Sequence, residues 1–370
     1  MKPLHNAFTK FMGQATRLVH KKSPLGDATA LLQQLLRRSQ VNRPPTAPAA
    51  PTAAPPAAPT EADVLDGLVT EVDAPAADKA AGSGQFSSHT EADGRQYKLF
   101  VPAGIPQGQR LPLVVMLHGC TQDPDDFAAG TRMNELAQAQ GFMVLYPAQP
   151  QRSNASKCWN WFQPGDQRRD RGEPAVLAGI TRRVLATHPV DERRVYVAGL
   201  SAGGAMAAIM GREYPDLYAA SGVHSGLPQG AAHDVASAFA AMQGRPAMKT
   251  AWPTGTAASA PANGGGGAPT IVFHGDSDKT VHPGNGQKVV ADALGAGGPA
   301  AEVTQGSAGG KAFTRSVYAD AAGRPRAEHW VVHGAGHAWS GGSPAGSYAD
   351  AQGPDASREM LRFFLQHARA

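Results

Sequence analysis

The stretch Arg194-Val195-Tyr196-Val197-Ala198-Gly199-Leu200-Ser201-Ala202-Gly203-Gly204-Ala205-Met206 decides the reading of this chain. Val195 to Ala198 is a short apolar, β-branched run, as expected of a buried strand. Ala202, Ala205, Ala207 and Ala208 are small, helix-compatible residues. Between the two halves lies Gly199-x-Ser201-x-Gly203. In this pattern a sharp strand-to-helix turn pushes the serine Oγ out at the top of a sheet. So tight a reversal leaves no room for side chains two residues before and two after the serine. In a chain with 43 glycines the pattern alone has little weight. Its context, strand before and helix after, is what the turn requires.

Working outward, the chain divides by composition. Residues 1–40 carry Lys2, Lys10, Arg17, Lys21, Lys22, Arg37 and Arg38 against Asp27 alone, a net of +6. The whole chain is +4, so the remainder is −2. The basic character belongs to a tail, and no nucleic-acid-binding face is expected on the body. Asp27 can cap a helix over residues 28–38, with Leu31, Leu32, Leu35 and Leu36 on one face. Such a basic helix can contact a granule, a membrane surface or a partner, or pack on its own domain. Residues 41–82, rich in Pro, Ala and Thr, read as an extended linker without a core. No stretch approaches the ~18 apolar residues of a membrane span. The basic start lacks a continuous apolar region of the Sec type.

From residue 83 to 370 the texture is that of a folded catalytic domain. Strands are expected at 97–101, 111–117, 142–146, 195–198, 217–223, 270–274 and 330–332. Helices are expected at 133–140, 175–187, after Ser201, and from Pro354-Asp355, with Met360, Leu361, Phe364 and Leu365 buried. The continuous apolar run 111–117 suits a strand buried on both faces of a parallel sheet. Strands alternating with helices give an α/β architecture, a doubly wound, mostly parallel sheet with helices on both faces. Residues 246–269 break the rhythm and read as a surface insertion.

An activated serine needs a base, and the base an orienting acid. In α/β-hydrolases these follow in the order Ser, Asp or Glu, His. Downstream of Ser201, one strand ends in His274-Gly275-Asp276-Ser277-Asp278 and another in His333-Gly334-Ala335-Gly336-His337. An acid after one strand and a histidine after a later one satisfy that order. Backbone donors for a developing oxyanion are expected from Ala202 and from Cys120, in the loop His118-Gly119-Cys120-Thr121-Gln122.

Leu117-His118-Gly119-Cys120-Thr121-Gln122, Cys158-Trp159-Asn160-Trp161-Phe162, Gly199-Leu200-Ser201-Ala202-Gly203-Gly204, His274-Gly275-x-x-Asp278 and Gly334-Ala335-Gly336-His337-Ala338-Trp339-Ser340-Gly341-Gly342 together resemble the polyhydroxybutyrate-depolymerase family of esterases, related to feruloyl and acetylxylan esterases. The resemblance covers about residues 85–368. It implies a serine esterase with Ser201, Asp278 and His337 as triad. It favours Asp278 over Asp276, which lies nearer the strand end and is expected to bond loop amides. It implies a secreted protein, which the N-terminus does not support; a cytoplasmic one is the alternative. Cys120 and Cys158 lie inside family motifs and read either as a disulfide or as two buried thiols. Trp159, Trp161 and Trp339 sit beside site loops, as walls for an apolar substrate or as ordinary packing. Small residues (Ala202, Gly203, Gly204, Gly341, Gly342) imply a shallow acyl pocket without an acidic residue. No metal or cofactor is expected, because no His/Cys/Asp cluster has ligand spacing. The expected substrate is a short-chain 3-hydroxyalkanoate polyester or oligomer. The alternatives are a feruloyl or acetylxylan ester or, in another class, a non-catalytic granule- or surface-binding module.

Overall fold

The computed structural model describes residues 84–245, 267–295, 298 and 300–370. The expected tail and linker, and all but the last three residues of the expected insertion, lie outside them. The elements in chain order are β1 (Gln85–Thr90), β2 (Gln96–Val101), β3 (Leu111–Leu117), α1 (Pro124–Thr131), α2 (Met133–Gln140), β4 (Met143–Pro147), α3 (Gly172–Thr187), β5 (Val190–Leu200), α4 (Ala202–Glu213), β6 (Ala220–His224), α5 (Val235–Met242), β7 (Thr270–Gly275), α6 (Gly284–Leu294), β8 (Glu302–Ala308), β9 (Lys311–Ala319), β10 (Pro325–Val332), the short β11 (Trp339–Ser340) and β12 (Ala349–Asp350), and α7 (Ala356–Phe364).

Ten of these strands form one sheet in the order β1-β2-β4-β3-β5-β6-β7-β10-β9-β8. From β4 to β10 every neighbouring pair is parallel. An antiparallel pair completes each edge. Side chains of a strand alternate between faces, and the core divides accordingly. Leu113, Val115, Leu117, Val195 and Val197 face one cluster with Leu177 and Val184 of α3 and Met206, Ile209 and Met210 of α4. Val114, Met116, Tyr196 and Ala198 face the other with Phe127 of α1, Met133 of α2 and Met360, Leu361 and Phe364 of α7. Helices on both faces explain why all seven residues of β3 are buried.

Three expectations shift. The strand expected from 217 begins at Ala220. Pro215 cannot prolong α4, and the amides of Leu217 and Tyr218 turn back onto Tyr214 O. Leu365 lies just past the end of α7 and is exposed, and Phe363 takes its place in the core. The β8–β9 hairpin was not foreseen. Its two-residue turn, Gly309-Gly310, has φ of 54° and 81°, the left-handed geometry that hairpins of this length need.

Candidate active site

Ser201 joins β5 to α4 with φ 58° and ψ −118°, a conformation that a non-glycine residue holds only under constraint. The constraint comes from its neighbours. A Cβ on Gly203 would lie 2.0 Å from Leu117 O, and one on Gly199 would lie 2.4 Å from the Gly203 carbonyl. Backbone crosses backbone at both positions, so only glycine fits. The Ser201 N–H donates to His224 O at 2.9 Å, which fixes the turn to the end of β6.

The loops after β7 and β10 are joined. Asp276 N–H donates to Val332 O (3.2 Å) and Ser277 N–H to Ala335 O (3.1 Å). This brings Asp278 to His337, with Nδ1 2.7 Å from Oδ2. A carboxylate can only accept, so the neutral His337 carries its proton on Nδ1 and presents Nε2 as a base. The amides of Thr280 and Val281 both donate to Asp278 Oδ1 at 2.8 Å. Burial alone would push the Asp278 carboxyl up. The His337 charge, side-chain hydrogen bonds from His274 and His337, and the Val281 amide outweigh burial and hold it well below the usual range. Asp276 is half-exposed and accepts from Gly334 N–H at 2.8 Å, as expected of a residue that bonds loop amides. It also pairs with His333 Nδ1 at 2.9 Å.

His224 was not singled out in the sequence. Its carbonyl holds the Ser201 amide, and its Nε2 accepts the Ser340 N–H at 3.0 Å, three residues past His337. The ring therefore ties the serine turn to the histidine loop. It stacks on Trp339 and Phe273. Burial, reinforced by the charges of His274 and His337, pushes its pKa down to about 3, so it acts as a neutral strut. The signal available was a histidine ending the strand next to the elbow.

The loop after β3 is held in the same way. Gly119 N–H donates to Gln122 Oε1 (2.9 Å), Thr121 N–H to Ser156 O (2.7 Å) and Gln122 N–H to Gly119 O (3.3 Å). The Cys120 N–H takes part in none of these bonds. Ala202 opens α4, where the first N–H groups have no acceptor within the helix. Cys120 and Cys158 are disulfide-bonded, with Cα atoms 4.2 Å apart. His118 is buried and its pKa is down to about 4. Its Nε2 accepts from Gln149 N–H, and its carbonyl accepts the Trp159 Nε1–H. Glu173, buried at the start of α3, accepts both the backbone and the side-chain N–H of Asn160. Burial pushes its carboxyl up to about 7 against those bonds.

A cleft of about 340 Å³ opens at Ser201, Ala202 and Cys120, with Trp161 on its wall. The other two expected walls lie elsewhere. Trp159 is buried with its N–H on His118 O. Trp339 is buried between His224 and Phe127, with its N–H on Ser357 Oγ. The expected lining of small residues is corrected as well. Gly203, Gly204, Gly341 and Gly342 stand where backbones cross. The apolar wall comes instead from α5 and from Leu227 and Val281. Nor is the cleft free of acid, since Asp166 lines it. Burial pushes the Asp166 carboxyl up, and its Oδ1 accepts the Glu173 N–H at 2.7 Å.

A parallel-centred sheet covered on both faces, with a left-handed serine between strand and helix and a joined acid–histidine pair after later strands, defines an α/β-hydrolase fold. The family model described as esterase PHB depolymerase matches residues 95–311, and the chain belongs to that family. It is 37% identical over 244 residues to poly(3-hydroxyalkanoate) depolymerase C of Paucimonas lemoignei, spanning 64% of this chain and 56% of the relative. It is 31% identical over 195 residues to feruloyl esterase B of Thermothelomyces thermophilus, spanning 51% of this chain and 65% of the relative. The chain thus spans between about half and two thirds of these relatives. Among solved structures, the acetyl xylan esterase from Aspergillus awamori superposes with a TM-score of 0.56 at 18% identity, over 77% of this chain and 100% of that one. That likeness is one of fold.

Proposed function

We propose that this chain is a serine esterase that cleaves carboxylic esters through an acyl-enzyme, with short-chain 3-hydroxyalkanoate polyester or its oligomers as substrate. Ser201 Oγ attacks the ester carbonyl while His337 Nε2 takes its proton. Asp278 holds the imidazole tautomer, and the Cys120 and Ala202 amides receive the oxyanion. Collapse of the tetrahedral intermediate breaks the bond to the alcohol oxygen, which takes the proton back from His337. Water, deprotonated by the same histidine, then attacks the acyl-serine, and the acid leaves as the bond to Ser201 Oγ breaks and Oγ takes the proton from His337. The observation that carries this reading is the 2.7 Å bond between Asp278 and His337, on loops that follow two strands of the same sheet as Ser201. The name of the Paucimonas lemoignei relative supports the polyester over the other ester classes. The disulfide supports an oxidising compartment.

A fluorophosphonate probe is expected to label Ser201, and the Ser201→Ala chain to take no label. With nitrophenyl esters of rising length beside a polyester film, kcat/KM is expected to be highest for acetate and butyrate, with release of 3-hydroxybutyrate oligomers from the film. Absence of label on the unaltered chain overturns the esterase reading and leaves the non-catalytic binding module. A preference for feruloyl or acetylxylan esters with an untouched film overturns the polyester assignment alone.

Residues 1–82 are proposed to be dispensable for the chemistry, since core-forming pattern begins only after them. A chain starting at Gly82 is expected to keep its kcat on a soluble ester. A large fall in kcat would show that the segment completes the site.

A further inference from the structure

The lining of the cleft is mixed. The segment before α3 contributes Arg152, Asn154, Asn160, Gln163 and Asp166, polar or charged, with Trp161 and Phe162 among them. From α5 come Val235, Ala238, Phe239 and Met242, all apolar. These positions are i, i+3, i+4 and i+7, one continuous face of a helix. Ala236, about 100° round the helix from Val235, is exposed. The helix is also firmly held. Asp234 and Ser237 close a capping box at its start. At its end, His282 N–H donates to Met242 O at 2.7 Å and Asn285 Nδ2–H to Ala241 O at 2.9 Å. Both donors belong to the segment after Asp278. Val281 completes the link, because its N–H holds Asp278 Oδ1 while its residue lines the cleft beside α5. This apolar face is therefore fixed to the loop that carries the proposed triad acid.

Resting on the esterase reading, we propose that the 235/238/239/242 face of α5 is the subsite that sets the size of the acyl hydrocarbon. The polar residues of the lining take the oxygen-rich alcohol part of the substrate. The favoured substrate class is then an ester with a short hydrocarbon acyl group on a polar, oxygen-bearing alcohol, as in a hydroxyacid oligomer. Phe239 and Met242 are the largest side chains on the face and are only half-buried, so they can be changed without opening the core.

The test is kcat/KM for nitrophenyl acetate, butyrate and hexanoate, and for acetate esters of alcohols of rising length. Each variant is also titrated with the fluorophosphonate. Phe239→Ala and Met242→Ala are each expected to raise the hexanoate-to-acetate ratio about tenfold, the scale of one or two methylenes in an apolar pocket. Met242→Trp should lower it, and Ala236→Leu on the outer face should leave it unchanged. Labelled Phe239→Ala and Met242→Ala chains whose ratio stays within about twofold of the unaltered one overturn this proposal and leave the esterase reading standing. A response to alcohol length with none to acyl length overturns the assignment of this face to the acyl side. An unaltered chain that takes no label overturns the esterase reading first.

Discussion

Asp278→Asn is expected to lower kcat on a soluble ester by about 10⁴, with KM little changed. Asn in place of Asp offers either an amide N–H or a carbonyl oxygen to His337 Nδ1. With the N–H turned inward, the neutral ring must carry its proton on Nε2, and the base proposed for Ser201 is lost. The carboxylate also loses the charge that favours the imidazolium once the serine proton has been taken. The two amides on Oδ1, from Thr280 and Val281, keep the loop in place, so the variant should fold. Asp276→Asn is the comparison. It sits two residues away on the same loop, is half-exposed, and bonds Gly334 and His333 rather than His337. Its expected cost in kcat is no more than about tenfold, in keeping with a modest exposed interaction. Because the Asp278 carboxyl lies well below the usual range, it stays ionised throughout the working pH, and the acid limb of the rate profile cannot come from it. The opposite order of the two variants would move the acid to Asp276 and overturn the mechanism.

How far the sequence could be read follows from where each signal resides. β3 was legible because burial on both faces demands an unbroken apolar run, and Leu111–Leu117 is one. β8 was not, because it is the outermost strand and mostly exposed. Its only large apolar residue, Val303, faces solvent. α6 was hidden by Gly284 and Gly286 in its first turn. Gly286 is demanded by tertiary packing, since a Cβ there would lie 2.9 Å from His329 Nε2. Ser201, Asp278 and His337 could be proposed from the sequence because their chemistry, chain order and positions after strands agree. The tryptophans were less so. Proximity to a motif places a ring near the site, but nothing in the sequence says whether it faces the cleft or the core. Trp161 does the first, Trp159 and Trp339 the second. α5 was missed because its wall is built largely from alanine and a few larger apolar residues, a composition shared by any short helix. Only the fold shows which of its faces lines the cleft at Ser201.

Replacing Cys120 and Cys158 by serine is expected to lower both stability and kcat. The bridge closes a loop with a sequence separation of 38, worth about 4 kcal/mol in the chain-entropy account. For a domain of this size that corresponds to a fall of about 10 °C in Tm. The catalytic effect has a separate origin. Cys120 contributes one of the two amides proposed to hold the oxyanion, and removal of one such donor costs up to about 10³ in kcat. The segment is not freed altogether, since Thr121 N–H still reaches Ser156 O and Trp159 Nε1–H still reaches His118 O. The expected loss in kcat is therefore nearer 10², with KM little changed, because the amide acts on charge that develops only in the transition state. Mild reduction followed by alkylation should reproduce both effects in the unaltered chain. If both sulfurs are alkylated while Tm and kcat hold, Cys120 does not depend on the bridge for its position, and the bridge has no part in holding the oxyanion donor.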